Sequence, residues 1–236
     1  MQKCPVCGAE NESLAITCRS CKAFLQAKVD NLDLFATIWG LIESPRSTMR
    51  RIVLSSHKNY VLLLSALEGI GALMIFARWR DLGRGTELGS IFGLSTILGI
   101  VGGIVMNYLL ASFLLQVSRI IGGRGSLRNI RAVLAFSGLP LAFWVVVFLP
   151  IEFGIFGKYL FEGNPSPAVL QPVPYYVLLT LETGLALWGL FLLATGLAEA
   201  NTYSRPRGFI AVVVMLVVLA IAVVVGLGKG YGPGGV

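Results

Sequence analysis

Residues 132–154 read AVLAFSGLPLAFWVVVFLPIEFG, and no charge interrupts them before Glu152. At roughly 1.5 Å per helical residue, such a run can cross a hydrocarbon core of about 30 Å. It contains Pro140, where a soluble helix would kink or break; in a membrane, neighbouring helices can satisfy the carbonyl that proline frees. Two apolar runs precede it, at 59–77 and 91–117, and two follow, at 173–198 and 209–228. The pattern predicts an all-α polytopic membrane protein, a bundle of five spans. The second run exceeds what one bilayer needs, so tilt or protrusion is expected there.

Composition agrees. Hydrophobic residues make up 56% of the 236 and charged residues 13%, against about 25% charged in soluble domains. The net charge of +7 suits basic residues gathered on the cytoplasmic side of a membrane, and no nucleic-acid partner is expected. All four cysteines fall within the first 21 residues, which excludes a disulfide-rich secreted scaffold. No apolar signal region follows Met1, so the N-terminus is expected to stay unexported.

Residues 3–22 read KCPVCGAENESLAITCRSCK. Two C-x-x-C pairs, Cys4/Cys7 and Cys18/Cys21, stand ten residues apart. Each pair can form a tight knuckle aiming two thiolates at one point, and two knuckles make the four-sulfur cage that zinc favours. Gly8 suits the turn, which often needs a positive φ. Two disulfides or a redox pair would use the same residues, but a reducing cytosol argues against both. The expected cofactor is Zn2+. A stretch this short cannot bury a core, so the metal must supply most of its folding energy. The expected organisation is a zinc ribbon over 1–25, a linker with juxtamembrane helices over 26–58, the membrane domain over 59–228, and a flexible Gly-rich tail over 229–236.

The run LDLFATIWGLIE at 32–43 places Phe35, Ile38, Trp39 and Ile42 on one helical face. It is too short to span. It either lies in the membrane interface, with Trp39 at headgroup level, or packs on the bundle. Next, Ser44 can cap and Pro45 can open a helix carrying Arg46, Arg50 and Arg51. With Trp39, these arginines are the expected contacts with anionic lipid or a partner.

Orientation follows from the basic residues. Eight Lys and Arg precede residue 59, four lie in the 118–131 loop and two in the 199–208 loop. The opposite side has Arg78, Arg80, Arg84, Lys158 and Lys229. Fourteen against five puts the N-terminus in the cytoplasm and the C-terminus outside.

Glu68 in the first span and Glu182 in the fourth each fall about 12–15 Å from a membrane face, near the midplane, and Asn107 reaches the same depth if the second span ends near Val117. Such groups should face the bundle interior. Gly69 and Gly184 beside the two carboxylates would admit a neighbouring helix, and so would the four-residue glycine spacings Gly85/Gly89/Gly93 and Gly99/Gly103. The prolines at 165, 167, 172 and 174 predict an extended loop. No catalytic pattern emerges. His57, the one histidine, sits at the membrane edge. GGRGS at 122–126 lacks the lysine of a phosphate loop and reads as a flexible basic turn.

The segment IWGLIESPRSTMRRI (Ile38–Ile52), the motif Phe136-Ser137-Gly138-Leu139-Pro140 and five spans with an internal N-terminus resemble the Yip family of Ypt/Rab-interacting membrane proteins, in its prokaryotic form. The resemblance covers roughly residues 33–228, and the ribbon is similar to those that open many prokaryotic membrane proteins. It implies a five-span fold in the cytoplasmic membrane. In eukaryotes the family implies Golgi and ER traffic through lipidated small GTPases, a vesicle system that prokaryotes lack. The expected function is a non-enzymatic membrane scaffold or adaptor whose ribbon docks a protein partner, with homo-oligomers left open. The alternative is a transporter, a channel or a transporter subunit working through Glu68 and Glu182.

Overall fold

A computed structural model describes residues 2–12, 15–23, 25 and 31–228. The linker at 26–30 and the tail at 229–236 lie outside the described residues. A two-residue hairpin, β1 (Gln2–Lys3) against β2 (Glu10–Asn11), opens the chain. Two short helices follow, α1 (Leu34–Glu43) and α2 (Pro45–Leu54). The first two spans are α3 (Val61–Trp79) and α4 (Leu88–Ile120). The third crosses as Leu127–Phe156, and after it come α8 (Tyr159–Glu162), α9 (Pro167–Leu170), α10 (Pro172–Asn201) and α11 (Arg205–Gly228). Among the described residues, five helices are long and apolar enough to cross a membrane.

The third span is not one α-helix. It runs as α5 (Leu127–Ser137), a turn at Gly138, α6 (Leu139–Phe143), a π-helical stretch (Trp144–Phe148) and α7 (Leu149–Phe156). Two prolines explain the breaks. Pro140 and Pro150 have no N–H for the carbonyls four residues earlier, Phe136 and Val146. Ahead of Pro150 the Leu149 N–H reaches back to the Trp144 carbonyl, which widens the turn to π. Only Pro140 stood out in the sequence.

The closest helix pair is α3 with α4. A side-chain carbon on Gly103 would stand 2.0 Å from the Ser65 carbonyl oxygen, and one on Gly69 would stand 2.0 Å from that of Gly99. Ser65 and Gly69 thus interlock with Gly103 and Gly99 in antiparallel order, the close packing that four-residue spacing of small residues allows. Gly89, Gly93 and Gly184 have nothing within 4 Å; the packing expected of them, and of Gly85 in the loop, does not occur. Spacing selects a face, but only neighbour geometry decides whether a helix lies on it.

At about 50 Å, α4 is far longer than α3, at about 28 Å. Since Gly103 meets Ser65 near the start of α3, the last turns of α4 run past that start. There Ala111, Leu114 and Val117 join Val53, Ile130, Val133, Leu197 and Ala211 in one buried cluster. A second cluster seats α1 and α2 on the bundle through Leu41, Met49 and Ile52 against Leu64, Ala135, Phe136 and Leu192. A third fills the opposite end, where Met74, Trp144, Phe156 and Phe161 meet.

Two loop expectations are corrected. The 118–131 loop is pinned, not flexible: buried Asn201 accepts from the Gly125 N–H through Oδ1 at 3.0 Å, and its carbonyl accepts from the Arg124 N–H at 3.3 Å. In the next loop, Pro167 and Pro172 each open a helix, where the missing N–H costs nothing.

Candidate functional site

The two halves of the N-terminal ribbon repeat each other. Cys4 N–H bonds the Ala9 carbonyl and Cys18 N–H bonds that of Ala23, both at 2.9 Å; Gly8 and Lys22 N–H reach back to Cys4 and Cys18. Gly8 has the positive φ expected of a knuckle, and Lys22 shares it at its equivalent place. The signal was legible as C-x-x-C-x-A, repeated as CPVCGA and CRSCKA. The Sγ atoms of Cys4 and Cys21 are 3.6 Å apart, those of Cys7 and Cys18 3.5 Å, and all four lie within 4.8 Å of one another. A tetrahedron of sulfurs about 2.3 Å from its centre has edges of about 3.8 Å, so this donor set can hold a metal ion.

Asn11, which the sequence reading missed, ties the knuckles together from a buried position. It donates to the Ala9 carbonyl and to Cys18 Sγ, and accepts from the Arg19 N–H at 2.9 Å. Backbone N–H groups of Cys21 and Ser20 aimed at Cys18 hold its thiol down to about 6 against the opposing effect of burial, which favours the ligating thiolate.

The intramembrane groups do not form the single site expected of Glu68, Asn107 and Glu182. Glu68 lies against Gly138, where an added side-chain carbon would collide with its carboxyl. Its Oε1 is buried with no hydrogen-bond partner. The Phe136-Ser137-Pro140 motif thus marks the joint where the third span receives Glu68 from α3. On its other side Gly189 of α10 passes the Ser137 carbonyl and the Pro140 ring. Asn107 is not near the midplane. It lies one turn beyond Gly103, level with the start of α3, and exchanges hydrogen bonds with Arg131 at 3.1 and 3.2 Å. The Arg131 guanidinium stacks on Tyr108 at 3.3 Å.

Glu182 belongs to a third place. It accepts from Trp144 Nε1 at 2.8 Å and lies 3.9 Å from Arg78 Nη1, which also binds Glu152 Oε1 at 2.8 Å. Arg78 is ten residues beyond Glu68 on α3, so this group sits about 15 Å further along the helix axis. Arg78, counted above with the outer loop, is inside the helix and paired. Arg78 and Glu152 went unnoticed because each lies within a turn or so of a span end, where charge is ordinary.

At the end where α2, the 118–131 loop and the C-terminus of α10 meet, Arg46 Nε binds Glu199 at 2.6 Å and Arg50 lies 3.9 Å from it. Arg46 is exposed and Arg50 partly so, and Arg51 is exposed on the same helix. Trp39, Phe35 and Ile42 project outward from α1, while Thr37 and Leu41 on the other face are buried. Lys58 caps α2 by donating to the Ile52 and Val53 carbonyls at 2.6 and 2.7 Å. Burial, and then Arg128, push its ammonium down to about 8.

The Yip1 domain family model matches residues 39–227. The chain belongs to the Yip1 domain family. The match begins inside α1 and ends inside α11, so the family's unit includes the basic helix α2 along with all five spans. The Yip1 family is a non-enzymatic membrane family. No curated protein and no solved structure matches the chain.

Proposed function

We propose that this Yip1-family protein is a non-enzymatic membrane scaffold whose cytoplasmic ribbon, folded around Zn2+ by Cys4, Cys7, Cys18 and Cys21, docks a protein partner. The observation that carries the reading is the dispersal of the intramembrane polar groups. A transporter working through Glu68 and Glu182 would need them on one path. Instead they have different neighbours, about 15 Å apart in level, with the packed joint at Gly138 beside the first. Zinc is favoured because four thiolates at tetrahedral spacing match its preferences.

The bundle resides in a prokaryotic cytoplasmic membrane with the N-terminus inside. Support comes from the clustering of α2, the 118–131 loop and the 199–208 segment at one end, since these carry nine Lys and Arg against Arg78, Arg80, Arg84 and Lys158 at the other. Trp39 with Phe35 and Ile42 enters the interface of that leaflet, and Arg46, Arg50 and Arg51 meet its anionic headgroups or the partner. Membrane-impermeant labelling of a cysteine at position 124 in intact cells would reverse the orientation.

The deciding experiment is a pull-down from native membranes with the full chain, in parallel with a form in which all four cysteines are serine. A partner captured by the first and lost by the second, with the bundle intact in both, is the expected result. Equal capture removes the ribbon from the function.

A further inference from the structure

A groove of about 420 Å³ opens on the side of the bundle between α3, the π-helical stretch and α10. Its walls are apolar, with Ile75, Leu141 and Leu179 among them, and Ile75 and Leu179 are exposed at the lateral surface. Its polar lining includes Arg78, Trp144, Glu182 and Thr183. Behind Arg78 stands Glu152, whose side chain is 1% exposed and which faces Glu182 as well as Arg78. One oxygen of Glu152 takes the Arg78 hydrogen bond; the other, Oε2, is buried with no partner.

Two carboxylates therefore share one guanidinium. Arg78 is engaged by Glu152 at 2.8 Å and stands 3.9 Å from Glu182, which leaves Glu182 as the carboxyl that lines the groove without a close cation. A carboxylate at the edge of an apolar groove is stabilised by a cation that also donates hydrogen bonds. The site's depth limits what can supply one. Arg78 is the penultimate residue of α3, a helix about as long as the hydrocarbon core is thick, so the cluster lies at the boundary between acyl chains and headgroups. Exposed Trp79, beside Arg78, is the residue type enriched at that level.

We infer that this groove binds one phospholipid with a primary-amine headgroup, its ammonium donating to Glu182 and an acyl chain lying along Ile75, Leu141 and Leu179. An anionic headgroup fits poorly, because Arg78 is already taken by Glu152 and the groove presents the Glu182 carboxyl. Nothing in this inference depends on the ribbon or its partner.

The test is native mass spectrometry of the full chain released from micelles holding equal amounts of phosphatidylethanolamine and phosphatidylglycerol. The expected result is a single retained phosphatidylethanolamine, favoured over phosphatidylglycerol by about tenfold, the worth of one charge-assisted hydrogen bond. Glu182→Gln keeps an acceptor for Trp144 but removes the carboxylate, and should abolish the preference. Ala186→Phe fills the groove wall without touching any charge, and should abolish retention of the lipid. An unchanged melting profile by circular dichroism confirms that each variant is folded. Equal retention of the two lipids, or an undiminished preference in folded Glu182→Gln, overturns the inference. Retention of neither lipid by the unaltered chain also overturns it and leaves a proton shared between Glu152 and Glu182 as the occupant.

Discussion

Replacing Gly103 by alanine should destabilise the bundle and replacing Gly89 by alanine should not, although both glycines lie in α4. At Gly103 the new carbon would fall 2.0 Å from the Ser65 carbonyl oxygen and 2.8 Å from the Gly69 Cα. Ordinary contact needs about 3.4 Å, and the obstructing atoms are backbone, so no rotamer change relieves the clash. The two helices must separate by about 1.4 Å, which also loosens Gly69 against Gly99. Overpacking of this kind costs about 1–3 kcal/mol, with more expected where backbone must move. The gain in helix propensity offsets up to about 1 kcal/mol of that. A net loss of about 1–2 kcal/mol is expected for Gly103→Ala. At Gly89 the new carbon meets nothing within 4 Å, so only the propensity gain operates and stability should stay level or rise by up to about 1 kcal/mol. The assay is reversible unfolding in mixed detergent micelles, followed by circular dichroism. Equal effects at the two positions, or a stabilised Gly103→Ala, would refute the placement of the α3–α4 contact.

Three further outcomes are expected. Arg78→Met should destabilise the bundle by about 3 kcal/mol by leaving Glu152 buried and unpaired, and Arg78→Met with Glu152→Leu should recover most of that; a double variant no better than the single would count against the pair. The Lys58 ammonium is held at about 8 in the folded chain against an ordinary 10.5. The unfolded chain therefore binds this proton more tightly, and stability should rise with pH between about 8 and 10.5, a slope that Lys58→Met should remove. Stripping the metal with a chelator, or replacing any one of Cys4, Cys7, Cys18 and Cys21 by serine, should unfold the ribbon and leave the bundle's helical melting unchanged, because about 25 residues cannot bury a core without the metal; zinc absent from protein made in a reducing cytosol would contradict this.

What the sequence by itself determined is whatever depends on local pattern. The five spans follow from apolar runs longer than a bilayer is thick, a property each segment carries alone. The cysteine cage follows from two C-x-x-C knuckles, because three bonded residues leave the two thiols of a knuckle few ways to point. Pro140 and the Phe136–Pro140 motif were legible for the same reason, as was the helix opened by Pro45. The tertiary structure decided which helix stands beside which, and at what height. Glu68, Asn107 and Glu182 look alike as polar groups in apolar runs. Spans of about 28 to 50 Å slide and tilt against one another, so depth counted from a span's end misplaced Asn107 and Glu182 by several turns. Arg78 and Glu152 escaped notice because their partnership crosses 74 positions of sequence. Gly103 and Gly89 share one helix and one kind of spacing pattern; only the presence of α3 against one of them makes that residue a contact and leaves the other facing open space.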